Sequence, residues 1–149
     1  MKALVENKKA RLEYEILDSY EAGLQLIGLE VKSLRTGKAS LAGSRVVVRG
    51  GEAFLSGATI SAYQVSNTPK SYDTERTRRL LLSKKEIGEL ALKEGQKGLT
   101  IIPIMVYNKS GKLKVQVAVV RHKNKHDKRD TLKGRDAKRE IERTLKTEY

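Results

Sequence analysis

Leu99-Thr-Ile-Ile-Pro-Ile-Met-Val-Tyr107, Asn108-Lys-Ser-Gly-Lys112 and Leu113-Lys-Val-Gln-Val117 are three consecutive segments with three different characters. The first is a nearly continuous apolar run of strand length. The second is a polar, glycine-containing turn. The third alternates strictly, which places Leu113, Val115 and Val117 on one face and Lys114 on the wet one. Strand, turn and half-buried strand in succession predict an antiparallel pair, and the chain on either side of it supplies more of the same. Arg45-Val-Val-Val-Arg49 and Ala53-Phe-Leu-Ser56 flank Gly50-Gly51, a hairpin signal because glycine adopts positive φ freely. Strand character continues through Ala58–Ala62. Earlier, a strand is expected around Tyr14–Leu17, a turn at Ser19-Tyr-Glu-Ala-Gly23 and a second short strand at Leu24–Ile27. Residues 1–13 read as a polar lead-in. The expected body is mainly β, a small antiparallel barrel of OB-like form or a half-open sheet, with two or three short helices.

Helical periods appear in two places before the tail. In Ile27-Gly-Leu-Glu-Val-Lys-Ser-Leu-Arg-Thr-Gly-Lys38, Val31 and Leu34 share a face, and Lys32 and Arg35 fall beside it. Gly37 suits a left-handed C′ stop, with Lys38 following the turn. One short helix would thus dock on a core and present three cations together. Ser83-Lys-Lys-Glu86 is a capping box that starts a second helix. Ile87, Leu90 and Ala91 are its expected buried face, and Gly95 its C′ stop. Between these elements, Tyr63 to Arg79 is a long polar loop. Its Arg76, Arg78 and Arg79 near Tyr72 are the mixture that RNA contacts favour, though a merely hydrophilic loop has the same composition.

Thr36-Gly37-Lys38-Ala39-Ser40 is similar to the end of a phosphate-binding loop. That motif requires Gly at the position of Lys32 and Ser or Thr at that of Ala39, so it is rejected.

The 149 residues suffice for one domain with an appendage. Net charge is +13, from 31 basic and 18 acidic residues. Residues 1–120 hold 20 and 12 of these, and residues 121–149 hold 11 and 6, so charge is denser in the tail. A polyanion partner follows, since neutralised phosphates release counterions. The absence of cysteine excludes disulfides and thiolate metal sites. Met1-Lys-Ala-Leu-Val5 turns polar at once, so no secretory leader is expected and the protein is expected in the cytoplasm. No apolar run approaches spanning length, and no membrane partner is expected.

From Arg121 the sequence becomes too hydrophilic to fold alone. Leu132, Ala137, Ile141 and Leu145 mark a thin apolar stripe, and Arg135, Arg139 and Arg143 recur at intervals of four on another face. The expected division is a folded body over 1–120 and a basic tail over 121–149, disordered alone and helical on a partner. His122 and His126 have helical metal spacing, but they lack a third ligand and lie among cations. No nucleophile–base arrangement or nucleotide loop is evident. No catalytic residue, metal or cofactor is therefore expected, and the composition is that of a binder. Residues alone leave open a generic OB-like ribosomal or single-strand RNA-binding protein.

Six segments carry a resemblance over the whole chain: Asn7-Lys-Lys-Ala-Arg11, Glu21-Ala-Gly23, Gly28 through Lys38, Gly51-Glu-Ala-Phe-Leu55, Arg78-Arg-Leu-Leu-Leu82 and His126-Asp-Lys-Arg129. In this order and spacing they resemble the SsrA-binding proteins, or small protein B family, of bacterial trans-translation. The resemblance implies an OB-related barrel that binds the tRNA-like domain of transfer-messenger RNA and escorts it to stalled ribosomes. It also implies one monomer per RNA and a tail that becomes helical in the empty mRNA channel beyond the decoding site. Asn7, Glu21, Leu81 and Lys114 match RNA-contacting positions of the family. Lys8, Arg11, Lys32, Arg35, Lys38, Arg78 and Arg79 join them on charge, and a buried role is the alternative for Leu81. Asp127, Lys128 and Arg129 match the tail motif that engages the ribosome, followed by Arg135, Lys138, Arg139, Ile141 and Arg143. The tail has no tryptophan, which leaves Ile141 and Leu145 as candidate apolar anchors.

Overall fold

The structure, a computed structural model, describes residues 3–64, 66 and 68–123. The expected hairpin is its backbone. We number strands β1 (Ala3–Glu6), β2 (Tyr14–Leu24), β3 (Ala39–Ser40), β4 (Arg45–Arg49), β5 (Glu52–Ser56), β6 (Thr59–Ile60), β7 (Arg78–Leu81), β8 (Leu99–Lys109) and β9 (Lys112–His122). Helices are α1 (Lys8–Glu13), α2 (Gly28–Arg35) and α3 (Lys84–Glu94). β8 and β9 pair antiparallel from Lys109 opposite Lys112 to Leu99 opposite Arg121. Ser110 and Gly111, at φ 51° and 78°, form the positive-φ turn that matches strand twist. Gly50 and Gly51 do the same between β4 and β5, at φ 58° and 75°.

The main sheet is antiparallel, in the order β1-β8-β9-β2-β7-β5-β4, with a separate two-residue ladder of β3 and β6. It curls until β4 lies near β8. Its edges, β1 and β4, are not hydrogen-bonded to each other. Of the two forms left open above, the half-open sheet is the one observed. Its concave side holds Leu55, Leu80, Ile101, Val106, Val115 and Val117, with Leu34 of α2 and Leu90 of α3 packed in. Leu34 and Leu90 are essentially fully buried, and each contributes about 1.5–3 kcal/mol.

Alternation in β9 holds through Val117 and then stops, because Ala118, Val119 and Val120 are all buried. α1 covers the outer face there and forms a second small core of Ala10, Ile102, Ile104, Ala118 and Val120.

Several expectations are corrected. Residues 1–13 are not a mere lead-in, since β1 pairs with β8 and α1 packs through Ala10. Two small apolar residues, Val5 and Ala10, give too little periodicity to see in sequence. Ser19–Gly23 does not turn; β2 continues through it, pairing with β9 from Tyr14 opposite His122 to Gly23 opposite Lys114. Only a bulge between Ile16 and Asp18 interrupts it. Leu24 ends that strand, and Gln25 to Ile27 lead into α2 rather than forming another. α3 starts at its capping box as expected, with Glu86 N–H donating to Ser83 Oγ at 3.2 Å and Ser83 N–H to Glu86 Oε1 at 3.1 Å. Gly95, however, caps it in the right-handed region at φ −77°, and Gly98 takes the positive φ of 82°. Leu90 alone is fully buried on α3, and Ala91 is exposed.

β9 runs past residue 120 to His122, whose ring lies 4.3 Å from that of Tyr14. Arg121 pairs with Glu15, and Lys123 N–H donates to Glu13 O at 2.9 Å. The tail residues Asp127, Lys128, Arg129, Arg135, Lys138, Arg139, Ile141 and Arg143 lie outside the described residues.

Candidate nucleic-acid interface

Register aligns Tyr107, Lys114, Gly23 and Leu81 across β8, β9, β2 and β7. The next rung carries Glu6, Met105, Gln116 and Glu21. Directly opposed residues share a face, and the flanking rung of Val5, Val106, Val115 and Ala22 is buried, so these two rungs point outward. Glu21, Lys114 and Leu81 therefore stand on one exposed surface. Leu81 is 51% exposed, which rules out the buried role considered for it. Leu81 lies close over Gly23: a Cβ at Gly23 would sit 3.2 Å from Leu81 Cβ, tight enough that Leu81 would have to give way. Arg79, two residues before Leu81 on the same face, is exposed and pairs with Glu52 at 3.2 Å.

α2 brings Arg35 to this surface, where its Nη2 donates to Gly111 O at 3.2 Å. A groove of about 360 Å³ results, with Gly23, Val31 and Leu81 on its floor and Arg35, Lys112 and Lys114 at its rim. Cations beside a short apolar floor suit a phosphate backbone and the ribose or base next to it.

Glu21 is an acid in this basic surface, and its oxygens are held in place. Tyr107 OH donates to Oε2 at 2.6 Å, and Lys109 Nζ lies 3.2 Å from both oxygens. The Tyr107 hydrogen bond, then that of Lys109, keeps the carboxyl below its ordinary pKa. Burial and the Glu21 bond push the Tyr107 phenol up. An ionised, oriented carboxylate accepts from base amino groups or ribose hydroxyls.

Asn7 lies at the far end of the same face, beside Glu6. Its Nδ2 donates to Pro103 O at 3.0 Å and its N–H to Ile104 O at 2.8 Å, so its amide fixes the start of α1. Lys8 and Arg11 are exposed and line a cleft of about 220 Å³ with Glu6 and Met105.

The three cations of α2 and the turn after it do not stay together. Lys32, Arg35 and Lys38 are all exposed, but Arg35 faces the sheet groove while Lys32 and Lys38 approach Tyr63 on the opposite flank. Gly37 closes the helix as expected at φ 75°, with Gly37 N–H donating to Leu34 O and Lys38 N–H to Ser33 O at 3.0 and 2.8 Å.

Arg78 is corrected outright. Expected at the RNA surface, it is wholly buried. Its Nε donates to Glu30 Oε2 at 2.7 Å, Nη1 to Ala58 O at 2.8 Å and Nη2 to Thr74 O at 2.9 Å, which leaves no group for a partner. Arg76 also pairs with Glu30, and the Tyr72 hydroxyl shares its one proton between Ile60 O at 2.9 Å and Glu30 Oε2 at 3.1 Å. Arg76, Arg78 and the Tyr72 ring thus fasten the long loop to α2. Burial alone would raise the Glu30 carboxyl, but hydrogen bonds from Arg76, Ile27 N–H and Arg78 outweigh it and the net shift is downward.

Glu30, Tyr107, Lys109 and Gly23 support the loop and the outward face, and the sequence reading does not single them out. Glu30 has a signal: it lies three after Ile27 and four before Leu34, an acid on the buried face of its helix. Tyr107 and Gly23 have none short of strand register. Among the described residues no cluster of His, Asp and Glu could hold a metal. No described helix is long and apolar enough to cross a membrane.

A family model described as SmpB protein matches residues 4–147. The chain is 47% identical over 146 residues to an SsrA-binding protein of Thermosynechococcus vestitus, covering 98% of this chain and 96% of that one. It is 48% identical over 143 residues to an SsrA-binding protein of Chlorobaculum tepidum, covering 95% and 90%. A solved structure described as "tmRNA-SmpB: a journey to the center of the bacterial ribosome" matches with a TM-score of 0.67 at 41% identity, over 85% of this chain and 92% of that chain.

Proposed function

The chain belongs to the SmpB protein family, and from that premise we propose that it is an RNA-binding adaptor of trans-translation. It binds the tRNA-like domain of transfer-messenger RNA and delivers it to stalled ribosomes, so that the nascent chain is tagged and the ribosome freed. It works by binding rather than catalysis, as one monomer per RNA, in the cytoplasm where both partners are found. The observation that carries this reading is the outward face on which Glu21, Lys114 and Leu81 meet, with Arg35 at its rim. That face offers a fixed acceptor, two cations and an exposed apolar side chain, the set that an RNA backbone with one accessible nucleoside requires.

Lys8, Arg11 and Arg79 extend the surface along the same side. Asn7 contributes by fixing α1. The tail, with Asp127, Lys128, Arg129, Arg135, Lys138, Arg139, Ile141 and Arg143, engages the decoding site and the vacant mRNA channel.

Titration against the isolated tRNA-like domain at several salt concentrations tests the face. Lys114→Ala is expected to weaken binding and lower the salt slope by about 0.9. Leu81→Ala is expected to weaken it with the slope unchanged, since leucine neutralises no phosphate. Wild-type affinity and slope in both variants would remove the face from the account.

A further inference from the structure

Lys32 and Lys38 hold their ammonium groups 5.8 and 5.6 Å from the centre of the Tyr63 ring. Among the described residues neither lysine has a carboxylate within ion-pair distance. Two like charges are thus gathered at one ring without neutralisation. The ring also forms part of the wall of a cavity of about 290 Å³, lined by Gly28, Leu29, Lys32, Gln64 and Thr68.

This wall is anchored. Ser33 Oγ donates to Ser61 O at 2.6 Å and Ser61 N–H to Lys38 O at 3.1 Å, two residues before Tyr63. Farther along the same loop, Tyr72 and Arg76 are tied to Glu30 of α2. The backbone that carries the ring and both lysines is therefore held in one frame before any partner arrives. The cavity lies along the Gly28 and Lys32 flank of the helix, whereas the sheet groove lies along Val31 and Arg35.

An aromatic wall with unneutralised cations beside it is the chemistry of a stacked base and its phosphates. Both lysines are exposed, so each is held only weakly at the half-buried ring. A base therefore displaces it from the ring face, and the freed ammonium turns to the adjoining phosphate. We propose that Tyr63, Lys32 and Lys38 form a second RNA subsite, which takes one unpaired base on the ring and its flanking phosphates on the two lysines. The proposal rests on the adaptor reading and extends it, since RNA is then gripped on both flanks of α2. The base comes either from transfer-messenger RNA or from ribosomal RNA, and the chemistry is the same for both.

The test uses the full chain with two titrations, one against transfer-messenger RNA and one against ribosomes. Tyr63→Leu is expected to weaken one of them roughly tenfold. Tyr63→Phe restores it, because stacking needs the ring and not the hydroxyl. The double variant Lys32→Ala, Lys38→Ala lowers the salt slope of that same titration by about 0.7 for each phosphate no longer neutralised, the single-strand value. Weakening against free transfer-messenger RNA assigns the base to that RNA, and weakening against ribosomes alone assigns it to ribosomal RNA. Tyr63→Leu binding like wild type in both titrations, or Phe failing to restore the affinity, overturns the subsite. Lys114→Ala is measured alongside. If it weakens binding while Tyr63→Leu does not, only the subsite falls; if neither weakens it, the sheet face falls as well.

Discussion

Replacing Glu30 with alanine tests how the long loop is held. The carboxylate is fully buried and faces the wholly buried Arg78 and the partly exposed Arg76. Removing one member of a buried pair costs about 3–5 kcal/mol, mostly because the remaining charge is stranded. The lower end applies here. Arg78 keeps Ala58 O and Thr74 O at 2.8 and 2.9 Å, and Arg76, at 31% exposure, can turn to water. A loss of about 3 kcal/mol is a large part of the roughly 5–15 kcal/mol that stabilises a domain. At about 4 °C per kcal/mol for a body of this size, the melting temperature falls by roughly 12 °C. Circular dichroism melts of Glu30→Ala measure this, with Arg49→Ala as control. The Arg49–Glu94 pair is largely exposed on the arginine side, so its loss should cost less than about 1 kcal/mol. The pH dependence has a fixed sign. Because the folded pKa of Glu30 is depressed, its contribution is complete above the ordinary value of 4.5 and is lost as pH falls through the lower folded value. A Glu30→Ala melt within a few degrees of wild type would refute the clamp.

Three further outcomes are expected. Gly23→Ala puts a Cβ 3.2 Å from Leu81 Cβ and 3.4 Å from its Cδ1, so it displaces Leu81 and weakens tRNA-like-domain binding more than it lowers the melting temperature; equal affinity would mean that Leu81's position is immaterial. Tyr107→Phe removes the 2.6 Å hydrogen bond to Glu21, so the carboxyl titrates higher and RNA affinity drops severalfold, as carbonyl-carbon NMR and a binding titration would record. A chain ending after Lys123 keeps the strand and its bond to Glu13 O, so it should bind the tRNA-like domain normally and fail in tagging; tagging by that chain would overturn the role proposed for the tail.

The hairpins are legible in sequence because their turns demand residues that few other structures use. Gly50-Gly51 and Ser110-Gly111 occupy positive φ, and alternation over Leu113–Val117 sets the inward face of β9. α2 and α3 are legible from cap chemistry, Gly37 and Ser83 serving as expected. β2 is not, because Asp18, Ser19 and Gly23 belong to turn composition, whereas the extended strand is imposed by pairing with β9, a neighbour remote in sequence. Gly23 is there for the passage of Leu81, which no local pattern announces. The charged loop is deceptive for a related reason. A guanidinium looks the same in sequence whether it meets phosphate or a buried acid, and only the position of Glu30 on its helix separates the two for Arg76 and Arg78. Glu21, Leu81 and Lys114 come from family resemblance, and strand register brings them to one surface.

RNA captured by this protein from a bacterial lysate, washed at moderate salt and sequenced, tests the adaptor function most directly. Dominant enrichment of transfer-messenger RNA over ribosomal and messenger fragments is the predicted result. A spread of those fragments without transfer-messenger RNA would contradict it, and would make the face of Glu21, Lys114 and Leu81 a general RNA-binding surface.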